Sequence, residues 1–334
     1  MKHTFSFKSK LGPTIICYLE LNFALGKRYK HQITTLKSLD RFLSQLPRAS
    51  QDLTAETFNA WCQGQSGLTS RVRHYRMSMI RRFCWYRRRT VPDCFVPDPV
   101  LFPPLSQTIT PHIFSELEVA RLMSAASGLE PSTQSPLRPE VVRLAIVLLY
   151  TTGLRFGELL RLTVGDFNPR EGTLLVRNSK FHKSRLLPLR QDVIDELEQY
   201  LRLRRKHKLP IGSATPFIWN QYRGGRAYSA WGLQCSLWAV FDACNIQTRT
   251  DRRPRVHDFR HSCAVNALIR WYRSDADVRT KLPFLAAYLG HISISSTYRY
   301  LHFVEPLRAL ASKRFDESYG GLVVPLSGRE AGKV

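Results

Sequence analysis

The chain has 334 residues, enough for two domains with a core each. Its 50 Lys and Arg against 26 Asp and Glu give a formal charge of +24, which points to a polyanion, because each phosphate neutralised releases counterions and adds affinity. An anionic membrane surface would attract the same charge, but no apolar run approaches the ~20 residues that span a bilayer.

The first 100 residues are expected to form a small helical domain. Leu36, Leu39, Leu43 and Leu46 recur at helical spacing, and Pro47 stops that helix. A second segment runs from about Thr54 to Gln65, with Gly64 and Gly67 at its end. A third, TSRVRHYRMSMIRRFCWYRRR, offers Val72, Tyr75, Met79, Ile80 and Phe83 as a buried stripe. Its other faces carry arginines, among them Arg73, Arg76, Arg81 and Arg82. Few acids balance them, so the helix reads as a DNA-gripping surface, with a plainly solvated face as the alternative.

Residues 92–112 carry six prolines and no helical period, the composition of a semi-rigid linker. The expected boundaries are 1–100 for the helical domain, 101–111 for the linker, 112–318 for a second domain and 319–334 for a tail. Ser115 and Glu118 form a capping-box pattern that opens the second domain. PEVVRLAIVLLY is apolar on nearly every side and reads as a helix buried in a core, ended by Gly153. Arg155 then stands at the junction with a new helix, and Glu158 shares its face. Taken alone, that pair is an ordinary surface ion pair.

GTLLVRNSKFHKSRLLPLR alternates like two strands around a basic turn that holds Lys180, His182, Lys183 and Arg185. A lysine at such a tip can reach a phosphate groove, and Lys183 and Arg185 are candidate DNA contacts, or the tip simply stays in solvent. A helix is expected over 191–208, then an aromatic loop. Residues 229–246 read as a helix with Trp231, Leu237, Trp238 and Phe241 in the core. RTDRRPR is a basic loop before His257, with Arg253 as a candidate DNA contact. A helix from Asp258 to about Arg273 puts His257 and Arg260 on one face. Leu289, Gly290 and His291 follow, with Tyr300 nine positions beyond His291. Two imidazoles, guanidiniums and a phenol suit phosphoryl transfer by side chains alone.

Seven scattered cysteines with no C-x-x-C pattern suggest reduced thiols in a cytoplasm and no structural zinc. The amino-terminal MKHTFSFKSK lacks a signal-peptide core, which suits the same compartment.

Arg155 in T-G-L-R-x-x-E, Lys180 in a hairpin, His257-x-x-Arg260, Leu-Gly-His at 289–291 and Tyr300 occur in that order. The ordered set resembles the tyrosine recombinase (phage integrase) family over residues 112–315. The resemblance implies a mainly α fold with a small antiparallel β-sheet: an N-terminal SAM-like core-binding domain and an α+β catalytic domain. It also implies a bacterial, nucleoid-associated enzyme acting as a homo-tetramer, with hetero-partner recombinases as a variant, on paired double-stranded DNA sites, without cofactor, metal or ATP.

By the same resemblance, Tyr300 attacks the phosphate, and Arg155 and Arg260 clamp its oxygens. Lys180 is the general acid, with Lys183 as its competitor. His257 aids proton transfer, His291 bonds the phosphate and Glu158 orients the cations. Tyr298 is the rival nucleophile. The spacer between Arg260 and His291, containing WYRSDADVRTKLP, is longer than the family's usual one. Type IB topoisomerase chemistry, or DNA-binding regulation without catalysis, are the alternative functions.

Overall fold

The computed structural model describes residues 5–27, 29–105, 110–177, 184–274, 276–291, 293, 297, 300 and 312. Lys180, Lys183, Tyr298 and the tail over 319–334 lie outside these residues. The chain divides into two compact units, Met1–Ile109 and Thr110–Val334.

Among its described residues the first unit holds four α-helices: α1 (Gly12–Ala24), α2 (Lys30–Ser44), α3 (Ala55–Gln63) and α4 (Ser70–Arg87). Thr54 and Thr57 cap each other at the start of α3 in a reciprocal box. Leu36, Leu39 and Leu43 of α2 are fully buried, as their spacing predicts. Met79, Ile80 and Phe83 of the expected stripe on α4 are buried, but its first two members are not. Met77, Ile80, Phe83, Cys84 and Arg87 face the core, whereas Val72 and Tyr75 are 42% and 61% exposed. A helix with arginines on most sides offers several stripes at 3.6 spacing, and packing against α1 and α2 selects one of them. The proline-rich stretch is not a free spacer over its first half. Phe95, Val96 and Phe102 pack on this unit's core, and His74 meets the Pro103 carbonyl at 2.8 Å.

The second unit is built on α6 (Arg138–Thr152), whose residues Leu144 to Leu149 are all buried. Around it pack α5 (Glu116–Ser127), α8 (Gln191–Lys206), α9 (Ala230–Ala243) and α10 (Asp258–Arg273). Ser115 and Glu118 close the expected capping box on α5. A four-residue helix, α7 (Phe156–Leu159), follows α6. Next comes an antiparallel sheet of β1 (Phe167–Asn168), β2 (Thr173–Val176) and β3 (Arg185–Pro188). Leu174 sits opposite Leu187 and Val176 opposite Arg185, so both leucines enter the core. The aromatic loop after α8 contains a small pairing of β4 (Trp219–Asn220) with β5 (Arg226–Ala227).

Leu237 and Phe241 of α9 are buried, but Trp231, expected in the core, is 67% exposed and meets the edge of Trp238. The long spacer finishes α10, turns, and starts α11 (Val278–Leu289), where Asp277 caps the first turn. The fold is thus mainly α with small antiparallel sheets. Among the described residues, no helix is long and apolar enough to cross a membrane.

Candidate active site

The end of α11 gathers the site. A helix leaves its last carbonyls without intrahelical partners, and its dipole makes that end negative. Three consecutive carbonyls there each take a guanidinium. Tyr288 O accepts from Arg185 Nε at 2.8 Å. Leu289 O accepts from Arg260 Nη2 at 2.5 Å, and Gly290 O accepts from Arg155 Nη2 at 2.8 Å. Gly290 closes the helix in the left-handed region at φ 67°, which a residue without a side chain reaches at no steric cost. Segments more than a hundred residues apart therefore meet on one turn.

Arg260 lies on the first turn of α10 and is 2% exposed. Its Nη1 donates to Gly153 O at 2.6 Å, which ties it to the end of α6. Burial, and then Arg155, draw its pKa down to about 10, so it keeps its charge at neutral pH. Gly153 has φ 60°, and a Cβ there would stand 2.7 Å from Leu289 Cδ2. The glycine that ends the buried helix thus also allows α6 and α11 to approach.

Arg155 precedes α7, as the sequence predicts, and its pair with Glu158 is no ordinary surface contact. The Glu158 side chain is 1% exposed. It takes Arg155 Nη1 at 2.7 Å and the Arg155 backbone N–H at 3.0 Å. On its other side it takes Arg185, Nη2 to Oε2 at 2.9 Å. Burial raises the carboxyl's pKa, but the bonds and charges of Arg185 and Arg155 outweigh it and hold the group down to about 2. Arg185, read from the sequence as a DNA contact, is instead committed to this buried carboxylate and to a helix end.

Tyr300 is 4% exposed, and the Arg260 guanidinium is near enough to act on its phenol. Its ring stacks on His291, centroids 6.0 Å apart, and meets His261 edge-on at 5.5 Å. Burial raises the phenol's pKa, while Arg260 pulls it the other way. His291 Nδ1 lies 2.8 Å from Thr297 Oγ1. His257 stands just before α10 with its ring perpendicular to that of His261, 4.8 Å away. Burial lowers the pKa of His257, and Arg260 adds to it.

Arg155, Glu158, Arg260, His291 and Tyr300 therefore come together, with His257 joined to them through His261. The sequence reading missed His261, and the only signal for it was its place next to Arg260. Lys180, the expected general acid, and Lys183 lie outside the described residues.

The expected DNA contacts of the first unit are variously engaged. Arg76 Nη1 donates to Gln65 Oε1 at 3.0 Å, and Arg81 donates to the Pro97 carbonyl. Arg73 is half-buried and Arg82 is exposed. In the second unit, Arg253 is bidentate to Asp242 and lies 5.0 Å from the Trp238 ring centroid.

Residues 113–305 match the model of the phage integrase family. An integrase/recombinase of Sinorhizobium fredii is 33% identical over 310 residues, which cover 92% of this chain and 97% of that relative. The tyrosine recombinase XerD of Vibrio cholerae is 29% identical over 250 residues, 74% of this chain and 75% of XerD. Among solved structures, the site-specific recombinase XerH, bound to its palindromic difH substrate in a post-cleavage complex, superposes with a TM-score of 0.62. It is 18% identical and covers 86% of this chain and 79% of its own, a likeness of fold.

Proposed function

The chain belongs to the phage integrase family, a DNA-cleaving and rejoining enzyme by that membership, and from this premise we propose that it is a site-specific recombinase with Tyr300 as its nucleophile. The observation that carries the reading is the convergence of Arg155 and Arg260 on adjacent carbonyls of one helix end, with the Tyr300 phenol against Arg260.

In this reading a duplex phosphate docks between Arg155 and Arg260. Tyr300 Oη loses its proton, with His257 near enough to the cluster to help, and bonds to phosphorus. The bond to the 5′-oxygen breaks, and that oxygen takes a proton from Lys180. The pentacoordinate phosphorus carries more negative charge on its equatorial oxygens than the ground state does. Fixed guanidiniums stabilise that state preferentially. His291 donates to the phosphate, and Glu158 holds Arg155 in place.

A phenol ordinarily ionises near ~10, and burial here raises it further. The attack therefore needs the cations beside it. The 3′-phosphotyrosyl link stores the bond energy, so a partner strand's 5′-hydroxyl can reverse the step without ATP or metal. Exchange between paired sites by a tetramer, in the bacterial cytoplasm on the nucleoid, completes the reading. The same division supports a helical unit of about residues 1–100 that grips DNA and a catalytic unit from about 112.

A nicked suicide duplex carrying DNA from beside the protein's own gene provides the test. The expected result is a covalent protein–DNA adduct, lost in Tyr300→Phe, and joined recombinant strands when partner DNA is added. Relaxed plasmid without exchange would favour a type IB topoisomerase. Tight binding with no adduct would favour a regulator.

A further inference from the structure

Resting on that reading, we propose that Arg185 is a positioning residue: it occupies one side of the Glu158 carboxylate, so that Arg155 keeps its positive charge for the phosphate. The geometry divides the two arginines into different jobs. Arg185 opens β3, and its side chain is 11% exposed. Its fork is committed to protein acceptors: Nη1 and Nη2 to Glu158 at 3.3 and 2.9 Å, and Nε to Tyr288 O at 2.8 Å. The Arg155 side chain, bonded to Glu158 through Nη1 and to Gly290 O through Nη2, is the more open of the two at 27% exposed.

One carboxylate thus faces two guanidiniums, and the group as a whole carries one positive charge. Without Arg185, Glu158 would pair with Arg155 alone, and the pair would be neutral. A phosphate would then have to compete with a buried, hydrogen-bonded carboxylate for the same guanidinium. Such a pair holds strongly once desolvated.

Arg185 also braces the turn that carries His291. A Cβ on Gly290 would stand 2.9 Å from Arg185 Nη1, so the guanidinium lies directly against that turn. The residue thus joins two parts of the site, the Glu158 carboxylate and the His291 turn.

Single-turnover adduct formation by the full chain on a nicked suicide duplex tests this. Arg185→Met keeps the length of the side chain and removes its charge. Its adduct rate should fall roughly ten- to a hundredfold, with duplex affinity within about twofold of the parent. Glu158→Gln in the same background should recover much of that loss, because a neutral amide no longer claims the charge of Arg155. A merely structural arginine predicts the reverse, the double variant being slower than either single one. A normal rate in Arg185→Met, or a double variant no faster than Arg185→Met, overturns the proposal. If the methionine variant fails to fold, Arg185→Gln, which can still bond Tyr288 O, carries the same comparison and the same two outcomes. Absence of any adduct with the unaltered protein would instead refute the recombinase reading itself.

Discussion

The rings of His291 and Tyr300 lie nearly parallel, 19° between planes, with centroids 6.0 Å apart. His261 meets the same phenol edge-on from α10. The Tyr300 phenol is therefore held between two imidazoles, one on α10 and one just past the end of α11, and its orientation depends on both.

Removing one of them should loosen the attack more than the binding. His261→Ala should lower the single-turnover adduct rate about ten- to a hundredfold, the scale on which a small misplacement of a reacting group acts. His261→Phe keeps an aromatic edge against Tyr300 and should recover most of the rate. Equal losses in both variants would mean that the imidazole nitrogens matter rather than the packing.

The glycine between α6 and α7 offers a test of packing. Gly153→Ala must hold φ 60° with a side chain and place a Cβ 2.7 Å from Leu289 Cδ2. The backbone alone costs about 1–2 kcal/mol, and the contact adds to it. A lower urea midpoint is expected, and a lower adduct rate with it, since the Gly153 carbonyl also receives Arg260. An unchanged midpoint would show that α6 and α11 separate freely.

Acid should weaken the folded chain in two stages. Burial, reinforced by His257 beside His261 and by Arg260 beside His291, holds both imidazoles down to about 4, against the ordinary 6.5. Between those values the unfolded chain binds more protons than the folded one. The contribution is complete above 6.5 and is lost as pH falls toward 4. Glu158, held at about 2 against 4.5, adds a second loss below 4.5. Urea midpoints measured from about pH 7.5 downward should fall through the first window, and less steeply in His261→Phe. A flat profile above about pH 4.5 would contradict the buried, neutral imidazoles.

The arginines of α4 make a prediction about salt. Arg82 is exposed, whereas Arg81 is bound to the Pro97 carbonyl. Arg82→Ala should weaken binding to all duplexes alike and reduce the slope of log affinity against log salt by about one. An unaltered slope would move the phosphate contacts elsewhere.

Much of this site could be read from local rules. The all-apolar run of α6, the glycine that ends it, and the His257–Arg260 spacing each follow from helix geometry, and each appears where expected. The role of Arg185 could not be read in this way. A cation beside a basic turn looks solvated, and only the tertiary approach of Glu158 and α11 buries it. Tyr75 and Val72 misled for a related reason, because a helix rich in arginine leaves the choice of its buried stripe to its neighbours. Trp231 looked like core because of its size, yet the face it occupies is exposed.

The row of carbonyls at the end of α11 also governs when the site can exist during synthesis. The bonds to Arg155, Arg185 and Arg260 span sequence separations of 135, 103 and 29 residues. A ribosome-bound chain that has released Arg155 but not yet Gly290 can hold that guanidinium through Glu158 but not at the helix end. A nascent or truncated product ending before α11 therefore lacks the row of carbonyls on which the three guanidiniums converge.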